Sequence, residues 1–233
     1  MKFSGAAFFD VDGTLLPATV LHYYAFFRMQ EFGPAAGMPW KCLFLLKAPY
    51  FWALDRCSRE LFNRRFYRSY RRLRPRQVES PARELLEKFI RPRLFSEAIE
   101  CVQRHRAERR AVVLVSGSIR QVVEPLAQFL QADHYYCAEL CVENERFSGD
   151  LRGGPMTGER KAAAVVSFLR RHGLARETAS AYADSYDDIP MLRAAGRAVA
   201  VNPEGKLRRQ ALEQGWEIVE WKRSDTSRAC AAI

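Results

Sequence analysis

Short apolar runs that stop at polar residues, each separated from the next by a stretch of helical periodicity, limit most strongly what this chain can fold into. The run from Ala6 to Val11 is rich in Phe and Val and ends at Asp12-Gly13, which reads as a buried strand stopping at a turn. Runs of the same kind occupy residues 111–115, 179–183, 198–201 and 217–219, and helical patterns occupy 119–130, 159–171, 188–195 and 204–214. Strand and helix alternate, so the expected fold class is α/β: an open parallel sheet with helices on both faces. Residues 135–151 depart from the pattern. Their short runs around Glu143-Asn144-Glu145 and Ser148-Gly149-Asp150 predict a small antiparallel excursion.

A second interruption is larger. Residues 17–108 show helical periodicity punctuated by Pro34, Pro39, Pro49, Pro75, Pro81 and Pro92, with no strand pattern. The expected organisation is therefore a core made of residues 1–16 and 109–233, with a helical cap of residues 17–108 inserted after the first strand. Charge follows this division. The chain carries a formal +10, yet residues 14–110 alone hold a net +11 and the remainder a net −1. Within the cap, Arg56 to Arg76 contains nine arginines and one acid, Glu60, interleaved with Phe62, Phe66, Tyr67 and Tyr70. Such a block points to nucleic acid, an anionic membrane surface or an anionic substrate.

Composition excludes some classes. With 48% hydrophobic and 27% charged residues, the chain can bury a core and is neither a disordered tail nor a fibre. Its six cysteines, at 42, 57, 101, 137, 141 and 230, form no CxxC pair and have no histidine at zinc spacing, so they are expected to be reduced and mostly buried. The apolar run before Asp10 is too short for the core of a signal peptide, which predicts a cytoplasmic location. No uncharged apolar stretch reaches the roughly 18 residues of a membrane span; residues 38–54 are broken by Lys41, Lys47, Pro39 and Pro49. The last four residues, Cys230-Ala-Ala-Ile, have the shape of a prenylation box and are expected to be a chance tail.

In an open parallel sheet, ligands bind beyond the carboxyl ends of the strands. Four places there are polar: Asp10-Val11-Asp12-Gly13-Thr14-Leu15, Ser116-Gly117-Ser118, Lys161 at the start of a helix, and Asp184-Ser185-Tyr186-Asp187-Asp188. Carboxylates at 10, 12, 184, 187 and 188 would repel if they converged without a cation. Mg²⁺ suits a site of one or two carboxylates, waters and phosphate oxygens. A carboxylate can attack phosphorus to give an aspartyl-phosphate, while a second one two residues on protonates the leaving oxygen and later activates water. Ser116, Gly117 and the helix start expected after them offer a hydroxyl and N–H groups to a phosphate, and Lys161 offers a point charge.

Taken in this order, Asp10-x-Asp12-Gly-Thr-Leu, Ser116-Gly, Lys161 and Asp184-x-x-x-Asp188 resemble the four motifs of the haloacid dehalogenase-like superfamily, across a Rossmann-like core of about 120 residues. A helical insertion between the first two motifs is similar to the subfamily that includes phosphoserine phosphatases. The resemblance implies Asp10 as nucleophile and Mg²⁺ ligand, and Asp12 as acid/base with its main-chain carbonyl on the metal. It further implies Ser116, Gly117 and Lys161 on the phosphate, Asp184 on the metal, and Asp188 and Asp187 as supports. Acid at position 12 favours hydrolysis of a phosphomonoester over the ATP-driven pumps and the dehalogenases of the same superfamily. A phosphonate hydrolase would need a Schiff-base lysine in the insertion, where Lys41, Lys47 and Lys88 have no distinguishing context. Phosphoserine phosphatases place a Glu nine residues after the nucleophile; here that position is Thr19, so the substrate has to be argued from the cap, which acts as a lid in this family.

Three readings of the basic cap follow. Its arginines form solvated faces over buried aromatics, and the substrate is a small phosphorylated metabolite. Alternatively residues 38–54, with Trp40, Phe44, Tyr50, Phe51 and Trp52, lie on an anionic membrane and present a lipid phosphate to Asp10. A third reading makes the cap a nucleic-acid binder that stacks bases on its aromatics, though no recognised binding motif accompanies it.

Overall fold

A computed structural model describes residues 3–222, so Cys230 and the prenylation-like tail lie outside the described residues. The first strand, β1 (Gly5–Phe9), leads into a run of helices: α1 (Val20–Leu45), α2 (Ala48–Cys57), α3 (Arg59–Tyr67), the single turns α4 (Arg76–Glu79) and α5 (Ala82–Leu85), and α6 (Ser96–Ala107). Then come β2 (Arg110–Ile119), α7 (Arg120–Leu130), β3 (His134–Ala138), β4 (Leu140–Glu143), β5 (Arg146–Leu151) and α8 (Glu159–His172). The chain continues with β6 (Ala179–Ala183), α9 (Ile189–Ala194), β7 (Arg197–Val201), α10 (Gly205–Gln214) and β8 (Glu217–Val219).

Six strands pair in parallel in the order β3-β2-β1-β6-β7-β8. β1 and β6 are buried along their whole length, as strands covered on both faces must be. Alternate residues serve opposite layers: Phe8 meets Phe168 of α8 edge-on, while Phe9 stacks on Tyr182 and faces His105 of α6. From β1 the chain builds outward to β2 and β3 on one side and to β6, β7 and β8 on the other. The switch point between β1 and β6 therefore opens a crevice at their carboxyl ends, and Asp10 and Asp184 follow those two strands directly.

The helical insertion has its own aromatic interior. Phe62, Phe66, Tyr67 and Tyr70 are all below 5% exposed and pack with Tyr24, Phe51 and Phe147. This corrects the base-stacking reading, because the aromatics between the arginines are interior. Arg64, Arg65, Arg68, Arg71, Arg72, Arg74 and Arg76 face solvent. It also corrects part of the interfacial reading: Phe51 is buried, and Trp40 and Phe44 stack on each other against Tyr24, leaving Tyr50 and Trp52 exposed.

Three further expectations change. Residues 134–138 join the main sheet as its edge strand, so the antiparallel excursion is only the β4–β5 hairpin. That hairpin is tied to the insertion: Arg72 and Phe147 exchange main-chain contacts with Phe147 and Leu73, and Gly149 packs against Arg68. β2 runs on to Ile119 before a helix begins, so Ser116 and Gly117 lie in extended chain and not at a helix N-terminus. The cysteines are less hidden than composition implied. Only Cys101 is buried among those described; Cys137 and Cys141 are half-buried, and Cys42 and Cys57 are exposed.

Candidate active site

All five sequence-predicted acids line the same crevice, and three of them converge within it. Asp10 and Asp188 are buried and Asp184 is half-buried, and one carboxylate oxygen from each lies within 4.8 Å of the others. Lys161, on the first turn of α8, is 5% exposed and bridges two of them, with Nζ 2.6 Å from Asp10 Oδ1 and 2.8 Å from Asp188 Oδ1. Burial works against its charge, but the two carboxylates outweigh burial and hold Lys161 firmly protonated. Asp187 lines the cavity as well but is exposed and outside that cluster, 3.8 Å from Arg59 Nε.

Gly13 makes this convergence possible. It adopts φ +92, and a Cβ there would stand 2.1 Å from Asp184 Oδ2, so only glycine lets the turn after β1 meet the loop after β6. Thr14 then places its hydroxyl between the two strands, 3.1 Å from Asp10 Oδ2 and 3.0 Å from Asp184 Oδ1.

Asp12 sits in a different environment. Its Oδ2 accepts hydrogen bonds from Ser118 Oγ at 2.7 Å and Ser116 Oγ at 3.1 Å, and the Ser116 hydroxyl accepts from the Ser118 main-chain N–H at 2.9 Å. Its Oδ1 is buried with no partner among the described residues, as is the hydroxyl of Tyr23 from α1. Burial first, and the charge of Asp10 second, push the Asp12 carboxyl up to about 6, against Ser118, Tyr23 and Ser116. Burial and the Asp12 charge in turn keep the Tyr23 phenol neutral. Ser116 thus holds Asp12 from behind, and Gly117 is the residue of that segment that faces the cavity.

The insertion closes the crevice into a cavity of about 240 Å³, to which it contributes Val20, Phe51, Trp52, Asp55, Arg59 and Phe62. Arg59 ties α3 to the loop after β6: its guanidinium lies 3.1 Å from Asp55 Oδ1 and donates to Ser185 Oγ at 3.3 Å. Tyr67 donates to the Gly117 carbonyl at 2.7 Å, and buried Asn63 donates to the Arg59 carbonyl at 2.9 Å. Thr19 reaches the cavity with its hydroxyl 3.0 Å from His22 Nδ1. Lys41, Lys47 and Lys88 are exposed on the outer surface.

Among these, Thr14, Ser118, Tyr23, Arg59 and Tyr67 were given no role by the sequence, although Thr14 and Ser118 stand inside the polar segments it marked. Thr14 and Ser118 had a local signal, a hydroxyl within a few residues of a marked acid or serine. The other three come from the insertion: Tyr67 and Arg59 lie 50 and 126 residues from the motif residues they bond, and Tyr23 lies 11 residues after Asp12.

The donor set fits a hard divalent cation. Its oxygens are all carboxylate, and one buried lysine faces three acids. Burial, then the charges of Asp10 and Asp188, raise the Asp184 carboxyl well above the usual range, and Asp188 is pushed up to about 6 by burial despite Lys161. A cluster short of positive charge in this way is what Mg²⁺ relieves.

Comparison with known proteins agrees with this geometry. A protein of Mycobacterium tuberculosis (strain ATCC 25618 / H37Rv) named "probable phosphatase" is 35% identical over 147 residues, or 63% of this chain and 51% of that one. A phosphoserine phosphatase of the same strain is 32% identical over 139 residues, covering 60% and 45%. The chain spans about half the length of the curated relatives it matches. A solved structure from Bordetella pertussis Tohama I, of unknown function, superposes with a TM-score of 0.77 at 25% identity over 92% of this chain and 97% of that one. The family pattern of the haloacid dehalogenase-like hydrolases matches residues 7–193, and the chain belongs to that family.

Proposed function

We propose that the chain is a Mg²⁺-dependent phosphatase that hydrolyses a small phosphomonoester through an aspartyl-phosphate on Asp10, with residues 1–16 and 109–233 as catalytic core and 17–108 as the lid. The observation that carries this reading is the pairing on one turn of two carboxylates in opposite environments. Asp10 is charge-paired to a buried lysine, while Asp12, two residues on, is pushed up to about 6 by burial. A carboxylate paired to a lysine suits the nucleophile, and a neighbouring carboxyl raised toward neutrality suits the acid/base.

Asp10, Asp184 and the Asp12 main-chain carbonyl would hold the metal, with Asp188 supporting it. Bound there, Mg²⁺ would neutralise phosphoryl oxygens and the acid cluster. Lys161 fixes Asp10 through Oδ1 and supplies positive charge where phosphoryl oxygens gather it. An Asp10 oxygen then forms a bond to phosphorus as the ester P–O bond breaks, and the leaving oxygen takes the proton from Asp12. In the second half Asp12, now a carboxylate, takes a proton from water. The water oxygen attacks phosphorus, the bond to Asp10 breaks, and inorganic phosphate leaves with both acids restored. Ser116 and Ser118 keep Asp12 aimed during both transfers. The cavity volume of about 240 Å³ favours a small leaving group, and the names of the two mycobacterial relatives agree with phosphatase chemistry.

The test is release of phosphate from an aryl phosphate with Mg²⁺. Asp10→Asn keeps the side-chain volume and should lower the rate by at least roughly a thousandfold, while circular dichroism stays unchanged. Undiminished activity would remove Asp10 as the nucleophile. A panel of amino-acid, sugar, nucleotide and lipid phosphomonoesters then identifies the substrate class.

A further inference from the structure

A helix that covers a core turns apolar residues inward and polar ones outward. Residues 36–57 obey only the first half of that rule. Gly37, Trp40, Phe44, Ala48, Phe51 and Leu54 recur every three or four residues and form the inward stripe, buried or half-buried. The rest of the circumference points away from the protein and is also apolar: Met38 is 56% exposed, Leu43 64%, Leu45 55%, Leu46 77%, Tyr50 48% and Trp52 61%. The exposed charged residues of this stretch are Lys41, Lys47 and Arg56, all basic, since Asp55 is half-buried beside Arg59. Contiguous apolar surface of this kind marks an interaction site.

Charge selects the occupant. A second copy of the chain across a two-fold axis would set this face against itself, basic residues against a face that holds no exposed acid to pair them. A nucleic acid would match the charge and leave the leucines unsatisfied. An anionic bilayer matches both, because its interface takes up apolar tips while lysine and arginine stems snorkel to the phosphates. No described helix is long and apolar enough to cross a membrane, so the face would lie on the bilayer. We propose that the outward face of residues 38–56 docks on an anionic membrane, with Leu43, Leu45, Leu46 and Trp52 in the interfacial layer and Lys41, Lys47 and Arg56 at the lipid phosphates. Trp52 also lines the cavity, so docking sets the cavity mouth at the depth of the headgroups.

Binding is read without substrate, so the outcome does not depend on the phosphatase reading. The protein is sedimented with vesicles of phosphatidylcholine alone and with vesicles of phosphatidylcholine and phosphatidylglycerol in equal parts. Three bases at about tenfold or less each predict partitioning stronger on the anionic vesicles by about a hundredfold. The double substitution Leu43→Ser with Leu46→Ser keeps every charge and should lower that partitioning by on the order of a hundredfold, with the thermal midpoint unchanged because both side chains are on the surface. If that variant is unstable, Lys41→Gln with Lys47→Gln should give at least a roughly tenfold loss on anionic vesicles alone. Three results overturn the proposal: no sedimentation of the wild type with either vesicle, partitioning of the variants equal to wild type, or a lipid-free dimer that the leucine substitutions dissociate.

Discussion

Gly13 occupies a left-handed turn, and its missing Cβ is the space that Asp184 fills. Gly13→Ala adds a backbone penalty of about 1–3 kcal/mol and forces the carboxylate aside. A displacement of about 1 Å at reacting groups costs on the order of a hundredfold in rate. Urea unfolding should register the first effect and kcat/KM on an aryl phosphate the second; wild-type values for both would show that the turn tolerates a side chain. His105 offers a test away from the chemistry. It is 4% exposed, with Nε2 2.7 Å from the Tyr182 hydroxyl, and burial, then Arg110 and Arg197, lower it from 6.5 to about 4. A depressed histidine is neutral in the fold and protonated in the unfolded chain between those values, so its contribution to stability rises with pH across that window and is lost as pH falls from 6.5 to about 4. The shift corresponds to about 3 kcal/mol. The buried acids titrate with the opposite sign, so the quantity to measure is the difference in unfolding free energy between wild type and His105→Phe. That difference should shrink by about this amount from pH 7 to pH 4, and a pH-independent difference would count against it.

At the level of elements, the helix α1 is divided by Gly33, whose φ of 68 and ψ of 179 belong to a region essentially reserved for glycine. A Cβ there would meet nothing within 4 Å, so the cost of Gly33→Ala is backbone strain alone, about 1–3 kcal/mol. The expected outcome is a lower urea midpoint with catalysis on a soluble aryl phosphate retained, because the break lies outside the cavity lining. A midpoint equal to wild type would mean that α1 straightens without loss. Elements also separate what was legible in the sequence from what was not. The central strands could be read because burial on both faces leaves a continuous apolar run that ends where the polar site begins. His134–Ala138 could not, since an edge strand of half-buried His, Tyr and Cys lacks that signature. The acids after β1 and β6 were legible as motifs, and their convergence followed from the sheet order. The serine hydroxyls turned toward Asp12, and the selection of Arg59 from nine similar arginines, depend on contacts 104 to 128 residues apart in sequence. No local pattern encodes contacts at that separation.

For the molecule as a whole, +9 of the +10 is carried by the insertion, while the acids of the cavity floor lie beneath it. Anionic substrate is drawn by the outer field and then meets a floor that is itself short of positive charge. This arrangement links metal binding to global stability. Asp184 is raised well above the ordinary carboxylate range, so its folded-state advantage is present at low pH and lost as pH rises through the unfolded value of 3.8 toward the folded one. At neutral pH the metal-free fold therefore bears the repulsion of Asp10, Asp184 and Asp188, moderated by Lys161 and Arg59. Asp184→Asn removes one charge and keeps a carbonyl oxygen for the Thr14 hydroxyl, so it should raise the thermal midpoint measured in chelator. The wild type should gain about 2.7 kcal/mol from Mg²⁺ at a hundred times its dissociation constant, a rise of roughly 5–10 °C for a chain of this size, and the variant should lose most of that gain. The substitution thus raises the midpoint in chelator and diminishes the rise with Mg²⁺, two effects of one cause, so calorimetry with and without Mg²⁺ on both proteins checks them together. A wild-type midpoint indifferent to Mg²⁺, or a variant less stable than wild type in chelator, would show that the acid cluster is not held together by a cation.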